Sequence, residues 1–187
     1  MTFSQFRDCL DQEVLGGKPS LFGLRLLKAL WSTNLGRQAV LRLRLAQLLT
    51  HYRCRYLAQR QLVRLAMRFG LYAEPTSAIG RGLRLPHPTS IVIGKGLRIG
   101  KRCQLYQQVS LGAAPRDHDG LMPRIGDDVT VYPGAKFVGE GRVGDRVIVG
   151  ANAVVTKPFG DDVVVAGIPA RAIRRVGPGD RLGSVRT

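Results

Sequence analysis

The sequence predicts a mainly β protein: a parallel β solenoid built in six-residue steps, preceded by a short α-helical region. Three observations predict it. Large apolar residues recur every six positions after Gly70, apolar residues recur at three and four before it, and glycine follows many of the six-step positions. With 187 residues and 44% hydrophobic content, the chain is long enough to bury a core.

The helical region, residues 1–70, comes first. Leu21, Leu24, Leu27 and Trp31 repeat at helical spacing, as do Leu41, Leu45 and Leu48, and then Leu62, Leu65 and Phe69. Helices are expected near residues 4–15, 20–31, 37–52 and 55–69, with Ser32, Thr33, Asn34 and Gly36 breaking the second from the third.

The solenoid follows over residues 71–176. One series runs Ile93, Ile99, Leu105 and Leu111; a second runs Ile125, Val131, Phe137, Val143, Val149 and Val155 in unbroken steps. One large apolar residue per step suits a short strand plus a corner, repeated so that these residues stack inward. Gly94, Gly100, Gly112, Gly126, Gly144 and Gly150 are expected to turn the backbone with positive φ, while Ala135 and Ala153 fill a narrow interior. An antiparallel domain with turns at the same spacing would need sustained alternation at two, which the series lacks. Residues 113–124 carry no repeat and are expected to project as a loop, a natural place for ligand contacts. Residues 177–187 are expected to form a flexible tail.

The formal net charge of +16 implies anionic company: nucleic acid, an anionic membrane, or a phosphate-bearing ligand such as coenzyme A. From Ser20 to Gly70 there are ten Lys or Arg and no Asp or Glu. Set beside apolar helical stripes, that is the pattern of helices lying on an anionic membrane surface; the plainer reading is packed helices with solvated arginines. No helix-turn-helix, zinc or RNA-binding signature accompanies the charge, so nucleic acid is not expected. Cys9, Cys54 and Cys103 are odd in number and far apart, which fits neither a disulfide framework nor a metal pattern, and no metal is expected. The N-terminal sequence lacks the features of a secretory signal and no apolar stretch approaches spanning length. A cytoplasmic setting is expected, with peripheral contact at the inner face of the membrane through residues 20–70 as a further expectation.

The six-residue array, the segment IGRGLRLPHPTSIVIG, the VSLGA segment before the loop and the ending GANAVVTKPFGDDVVVAGIPARAIRR resemble bacterial serine acetyltransferases and related hexapeptide-repeat O-acetyltransferases, over roughly residues 72 to 176. The resemblance implies a left-handed parallel β-helix, a homotrimer with active sites between subunits, and acetyl-CoA as co-substrate. It places His87, in the context Leu85-Pro86-His87-Pro88, as general base. An imidazole can take the acceptor hydroxyl's proton as the oxygen attacks the thioester, a role worth about 10²–10⁴ in rate. A histidine on a solvated corner is the plain alternative.

Backbone N–H groups near Gly112 and Ala113 are implied as oxyanion donors, with Ala113 standing where a second glycine is usual. Pantetheine is implied near Pro133 and Ala151, and the phosphates near Thr156, Lys157, Arg171 and Arg174. Taken singly, each of those cations reads as a solvated surface charge.

The departures concern the acceptor. Serine acetyltransferases carry aspartates where this chain has Tyr72 and Pro86, and a loop histidine where it has Met122. Without those carboxylates the ammonium of serine loses its usual partner on desolvation. The expected acceptor is therefore a neutral sugar hydroxyl, in surface polysaccharide or glycoconjugate synthesis and carried on a lipid in the membrane-contact reading. Tyr72, Tyr106, Gln107 and Gln108 are the hydrogen-bonding residues for it. Glu74 and His118 are candidates for supporting His87. A serine O-acetyltransferase in cysteine biosynthesis and an inactive solenoid scaffold or binding module are the alternatives.

Overall fold

The structure, a computed structural model, describes residues 1–16, 22–112 and 122–180. The chain opens on α1 (Phe3–Leu10), started by a reciprocal cap in which the Gln5 amide donates to Thr2 Oγ1 and the Thr2 amide donates to Gln5 Oε1. A π-helical turn, Asp11–Leu15, continues it and stops at Gly16 in the left-handed conformation. Then come α2 (Phe22–Leu30), α3 (Leu35–His51, with Asn34 accepting from the Arg37 amide) and α4 (Arg55–Phe69, ended by left-handed Gly70). The stripe of α2 read as apolar does not stay inside: Leu27 and Trp31 are exposed.

Helix α3 is buried on several sides because it packs against α1, α2, α4 and the first coil of the solenoid. Its start comes so near the β region that a Cβ on Gly36 would sit 2.2 Å from the Leu85 carbonyl oxygen. Further along, Arg44 crosses into the solenoid. Its guanidinium donates to both carboxylate oxygens of Glu13 (2.9 and 2.6 Å), to Gln47 Oε1, and to the carbonyls of Ile79 and Gly80. Glu13 also accepts from the amides of Gly82 and Leu83. Both side chains are fully buried.

The β region is a left-handed, three-faced parallel coil. The first face stacks Tyr72–Ala73, Val92–Ile93, Ser110–Gly112, Lys136–Val138 and Val154–Val155. The second stacks Ala78–Ile79, Arg98–Ile99, Arg124–Ile125, Arg142–Val143 and Pro158–Phe159. The third stacks Gln104–Leu105, Thr130–Val131, Ile148–Val149 and Val163–Ala166, and is closed by Arg171–Arg175, which runs antiparallel. All ten six-step residues are 4% exposed or less. A second interior column lies two residues before them: Ile91, Leu97, Cys103, Val109, Val129, Ala135, Val147 and Ala153. Alternation at two is thus present, cut into pairs by each corner.

The glycines after the six-step residues do not have positive φ. Those conformations fall instead on corner residues such as Arg102, Gln108, Asp128, Arg146 and Asn152. What several of these glycines supply is close stacking: a Cβ on Gly100 would meet the Gly126 carbonyl oxygen at 2.3 Å, and one on Gly126 would meet that of Gly144 at 2.4 Å. Beside them runs a ladder of carboxylates, in which the amides of Lys101, Asp127 and Asp145 donate to Oδ1 of Asp127, Asp145 and Asp161. On the same corner Arg102 pairs with Asp128 and Arg146 with Asp162. In the segment read as a flexible tail, Pro178–Asp180 forms a 3₁₀ turn, and Asp180 pairs with Arg174 and accepts from the Gly177 amide. Residues 181–187 lie outside the described residues.

Candidate functional site

Strand register decides which candidate residues share an edge of the prism. Arg84 bridges to Gln104, which pairs with Thr130, which pairs with Ile148. Three residues before Val92, Ser110, Lys136 and Val154 lie Thr89, Gln107, Pro133 and Ala151, which form a column on the edge between the third and first faces, with the Gln108 amide donating to the Thr89 carbonyl (2.9 Å). His87 lies just before Thr89 on the same edge, where the first coil carries extra residues between Arg84 and Val92. Backbone bonds continue along it, from the Gly134 amide to the Gln107 carbonyl (3.0 Å) and from the Asn152 amide to the Pro133 carbonyl (2.9 Å).

His87 stands exposed on that edge, between half-buried Pro86 and buried Pro88. The prolines fix φ on either side, and the His87 carbonyl accepts from the Thr89 amide at 2.8 Å. Its ring centroid lies 6.2 Å from that of Tyr106, which stacks on Tyr132 at 5.4 Å. Burial is the first cause pushing the Tyr132 hydroxyl pKa up, with Tyr106 and Asp180 adding to it. In Gln107, Oε1 is buried with no hydrogen-bond partner among the described residues. Gln108 is exposed in a left-handed conformation, and its carbonyl accepts from Lys136 Nζ at 2.7 Å. Tyr132 was not singled out from the sequence. Its signal is its position: like Tyr106 after Leu105, it directly follows a six-step residue of the third face, Val131.

The other candidates fall elsewhere. Tyr72 lies on the first face, exposed, paired with Val92. Glu74 and Gly112 sit at the far edge of that face, between the first and second faces; Glu74 accepts from the Thr76 hydroxyl, and Gly112 pairs with Val138. Within one chain the width of a face therefore separates both from His87. Thr156 and Lys157 follow Val155 onto that same far edge, with Lys157 over the Phe159 ring. Arg171 pairs with Ala166 beside the His87 edge at the end of the coil, while Arg174 is held by Asp180. Ala113 and His118 lie outside the described residues. A cavity of about 900 Å³ lies between α1, α3 and the second face and contains none of these candidates. Among the described residues no group of three His, Cys, Asp or Glu side chains is arranged to hold a metal.

Three parallel faces with glycine-stacked corners define a hexapeptide-repeat protein with a left-handed β-helix. No family model matches the chain. Its relatives make it serine acetyltransferase-like: a serine acetyltransferase of Synechococcus elongatus is 34% identical over 108 residues, covering 58% of this chain and 44% of that protein. Among solved structures, the serine acetyltransferase of Neisseria gonorrhoeae superposes with a TM-score of 0.77 at 25% identity, over 97% of this chain and 71% of that one. A serine acetyltransferase solved in complex with CoA gives 0.70 at 27% identity, over 90% and 68%. The chain spans about half the length of the curated relatives it matches, from 44% to 58%.

Proposed function

We propose that this chain is an acetyl-CoA-dependent O-acetyltransferase, with His87 as general base, acting as a homotrimer. The observation that carries this reading is that His87 stands on the same edge of the coil as the column of Gln107, Pro133 and Ala151, with its ring 6.2 Å from that of Tyr106. That edge presents a base, while Gly112, with its backbone N–H, stands on the opposite edge of the same face. Copies related by a three-fold rotation bring unlike edges together, so the separation of the half-sites supports an active site between subunits.

In the reaction, the acceptor hydroxyl oxygen attacks the thioester carbonyl as His87 takes its proton. Backbone N–H groups at Gly112 and Ala113 of the neighbouring copy stabilise the tetrahedral oxyanion. Collapse breaks the carbon–sulfur bond, and the CoA thiolate recovers the proton from the imidazolium. Arg171 and Lys157 are the exposed cations offered to the CoA phosphates.

Serine is the acceptor the relatives favour, since every protein compared above is named for it, and this reverses the order expected from the sequence. One observation keeps a neutral sugar hydroxyl as the second reading: Tyr72 and Pro86 supply no carboxylate for an ammonium group. Thiol trapping of released CoA separates the two. Saturable release with serine supports the first; release with sugars or polyols and none with serine supports the second. His87→Ala is expected to lower turnover by about 10²–10⁴ with the melting temperature unchanged. An unchanged rate would remove His87 as the base, and no CoA release with any acceptor would leave an inactive scaffold. Light scattering checks the trimer. Among the described residues no helix is long and apolar enough to cross a membrane; peripheral contact through residues 20–70, in a cytoplasmic setting, completes the reading.

A further inference from the structure

Helix α4 turns Ala58, Leu65 and Phe69 inward against α3 and the first coil. Its opposite side carries an apolar stripe that is uncovered among the described residues. Tyr56, Val63 and Met67 are spaced by seven and four, so they share one helical face. Met67 is 84% exposed and Tyr56 73%. Arginines border this stripe: Arg60, with its guanidinium 5.8 Å from the Tyr56 ring centroid, then Arg64 and Arg68, with Arg42 reaching in from α3. Two hollows open along it, one of about 390 Å³ lined by Tyr56, Gln59, Arg60, Val63 and Arg64, and one of about 310 Å³ lined by Arg42, Arg64, Met67 and Arg68.

The charges are uncompensated. Among the described residues none of these four arginines has an acidic partner; Arg42 donates to Gln61 and Arg68 lies over the Phe69 ring. Burial, then Arg64 and Arg68, push the Arg42 pKa down, as expected where cations crowd one another. Three arginines of the β region are treated differently: Arg102, Arg146 and Arg174 are each held by an aspartate.

We propose that this face of α4 docks on an anionic lipid surface, with Tyr56, Val63 and Met67 entering the headgroup boundary and Arg42, Arg60, Arg64 and Arg68 meeting lipid phosphates. The charge pattern selects this occupant over a second copy of the chain. A two-fold contact through the stripe would press one row of arginines against the same row, which is repulsive. An anionic bilayer neutralises them, and its boundary accepts exposed methionine and tyrosine beside them. The inference rests on the peripheral contact proposed above and names its surface; it is independent of acetyl transfer.

The test is co-sedimentation of the full chain with vesicles of phosphatidylcholine alone or mixed with phosphatidylglycerol. Binding is expected only to the mixed vesicles, weakening as salt rises. Met67→Glu, and separately Arg60→Glu with Arg64→Glu, should cut the bound fraction roughly fivefold or more. Arg142→Glu, an equally exposed cation on the second face, should leave it unchanged, and circular dichroism confirms that each variant is folded. No binding by the parent chain overturns both the surface and the peripheral contact. Binding that survives Met67→Glu, or that falls equally with Arg142→Glu, overturns this surface alone. A larger assembly in solution that Met67→Glu dissolves, with vesicle binding intact, assigns the stripe to a second copy and also overturns it.

Discussion

Replacing Arg44 by methionine tests what joins the helical region to the coil. Methionine fills much of the same space and removes every donor. It leaves the buried Glu13 carboxylate with only the Gly82 and Leu83 amides, and it leaves the Ile79 and Gly80 carbonyls without the bonds Arg44 gives them. Removing one partner of a buried ion pair costs about 3–5 kcal/mol, because the other charge stays desolvated. Each orphaned carbonyl raises the cost by about 1 kcal/mol or more, so about 3 kcal/mol is a floor. For a chain of this size, that lowers the melting temperature by at least roughly 6–12 °C. Glu13→Gln keeps an acceptor for the two amides and removes the charge. The double variant Glu13→Gln with Arg44→Met should therefore lose less than the sum of the single changes, by about 1 kcal/mol or more. Urea unfolding followed by circular dichroism, with all four proteins at one concentration, measures this cycle. An Arg44→Met loss below about 1 kcal/mol, or strict additivity, would refute the reasoning.

Three further outcomes follow from the coil. Gly126→Ala places a Cβ 2.4 Å from the Gly144 carbonyl oxygen and should cost about 1–3 kcal/mol in urea unfolding, whereas Gly160→Ala, with open space around it, should cost less than about 1 kcal/mol. Burial pushes the Cys103 thiol up to about 12, so at pH 8 a thiol reagent should label exposed Cys54 within the native protein and reach Cys103 only on unfolding. The Arg174 guanidinium, followed by the Gly177 amide, holds the Asp180 carboxyl down at about 2, against 3.8 ordinarily. A depressed folded-state value means that docking of the Gly177–Asp180 turn is complete above pH 4 and weakens as pH falls from about 4 towards 2; amide shifts at Gly177, measured by NMR, should follow that window.

The six-step residues were legible because each face of a narrow prism turns a large aliphatic or aromatic side chain inward at the same place in every coil, and that demand repeats along the chain. The second interior column was harder to read: Cys103, Ala135 and Ala153 are small, and corners interrupt the alternation that links them to their neighbours. The glycines were found for the wrong reason. Clearance between Gly100 and Gly126 is set by stacking of consecutive coils, which no local window contains. Left-handed conformations fell on Arg102, Gln108 and Arg146, residue types that give no such signal. Arg44 reads locally as one more solvated helix cation, yet its partner lies thirty-one residues away at Glu13. In the candidate site, His87 was marked by its motif, whereas placing Glu74, Gly112 and Lys157 on the opposite edge required strand register. Tyr132 was within reach of the six-residue count and was passed over.

The ladder of parallel strands has a consequence for length. Val92 and Ser110 occupy equivalent places in successive coils, as do Ser110 and Lys136. A cut from one such place to the next removes a whole storey and leaves matching ends, shortening the tower by one strand spacing of about 4.8 Å. Outside an insert such as the one that makes the coil from Ser110 to Lys136 longer than that from Val92 to Ser110, a cut of any other size throws every later residue off its corner. The protein's reach between its helical cap and its antiparallel lid is therefore quantised, and a chain growing by duplication gains height only in whole storeys.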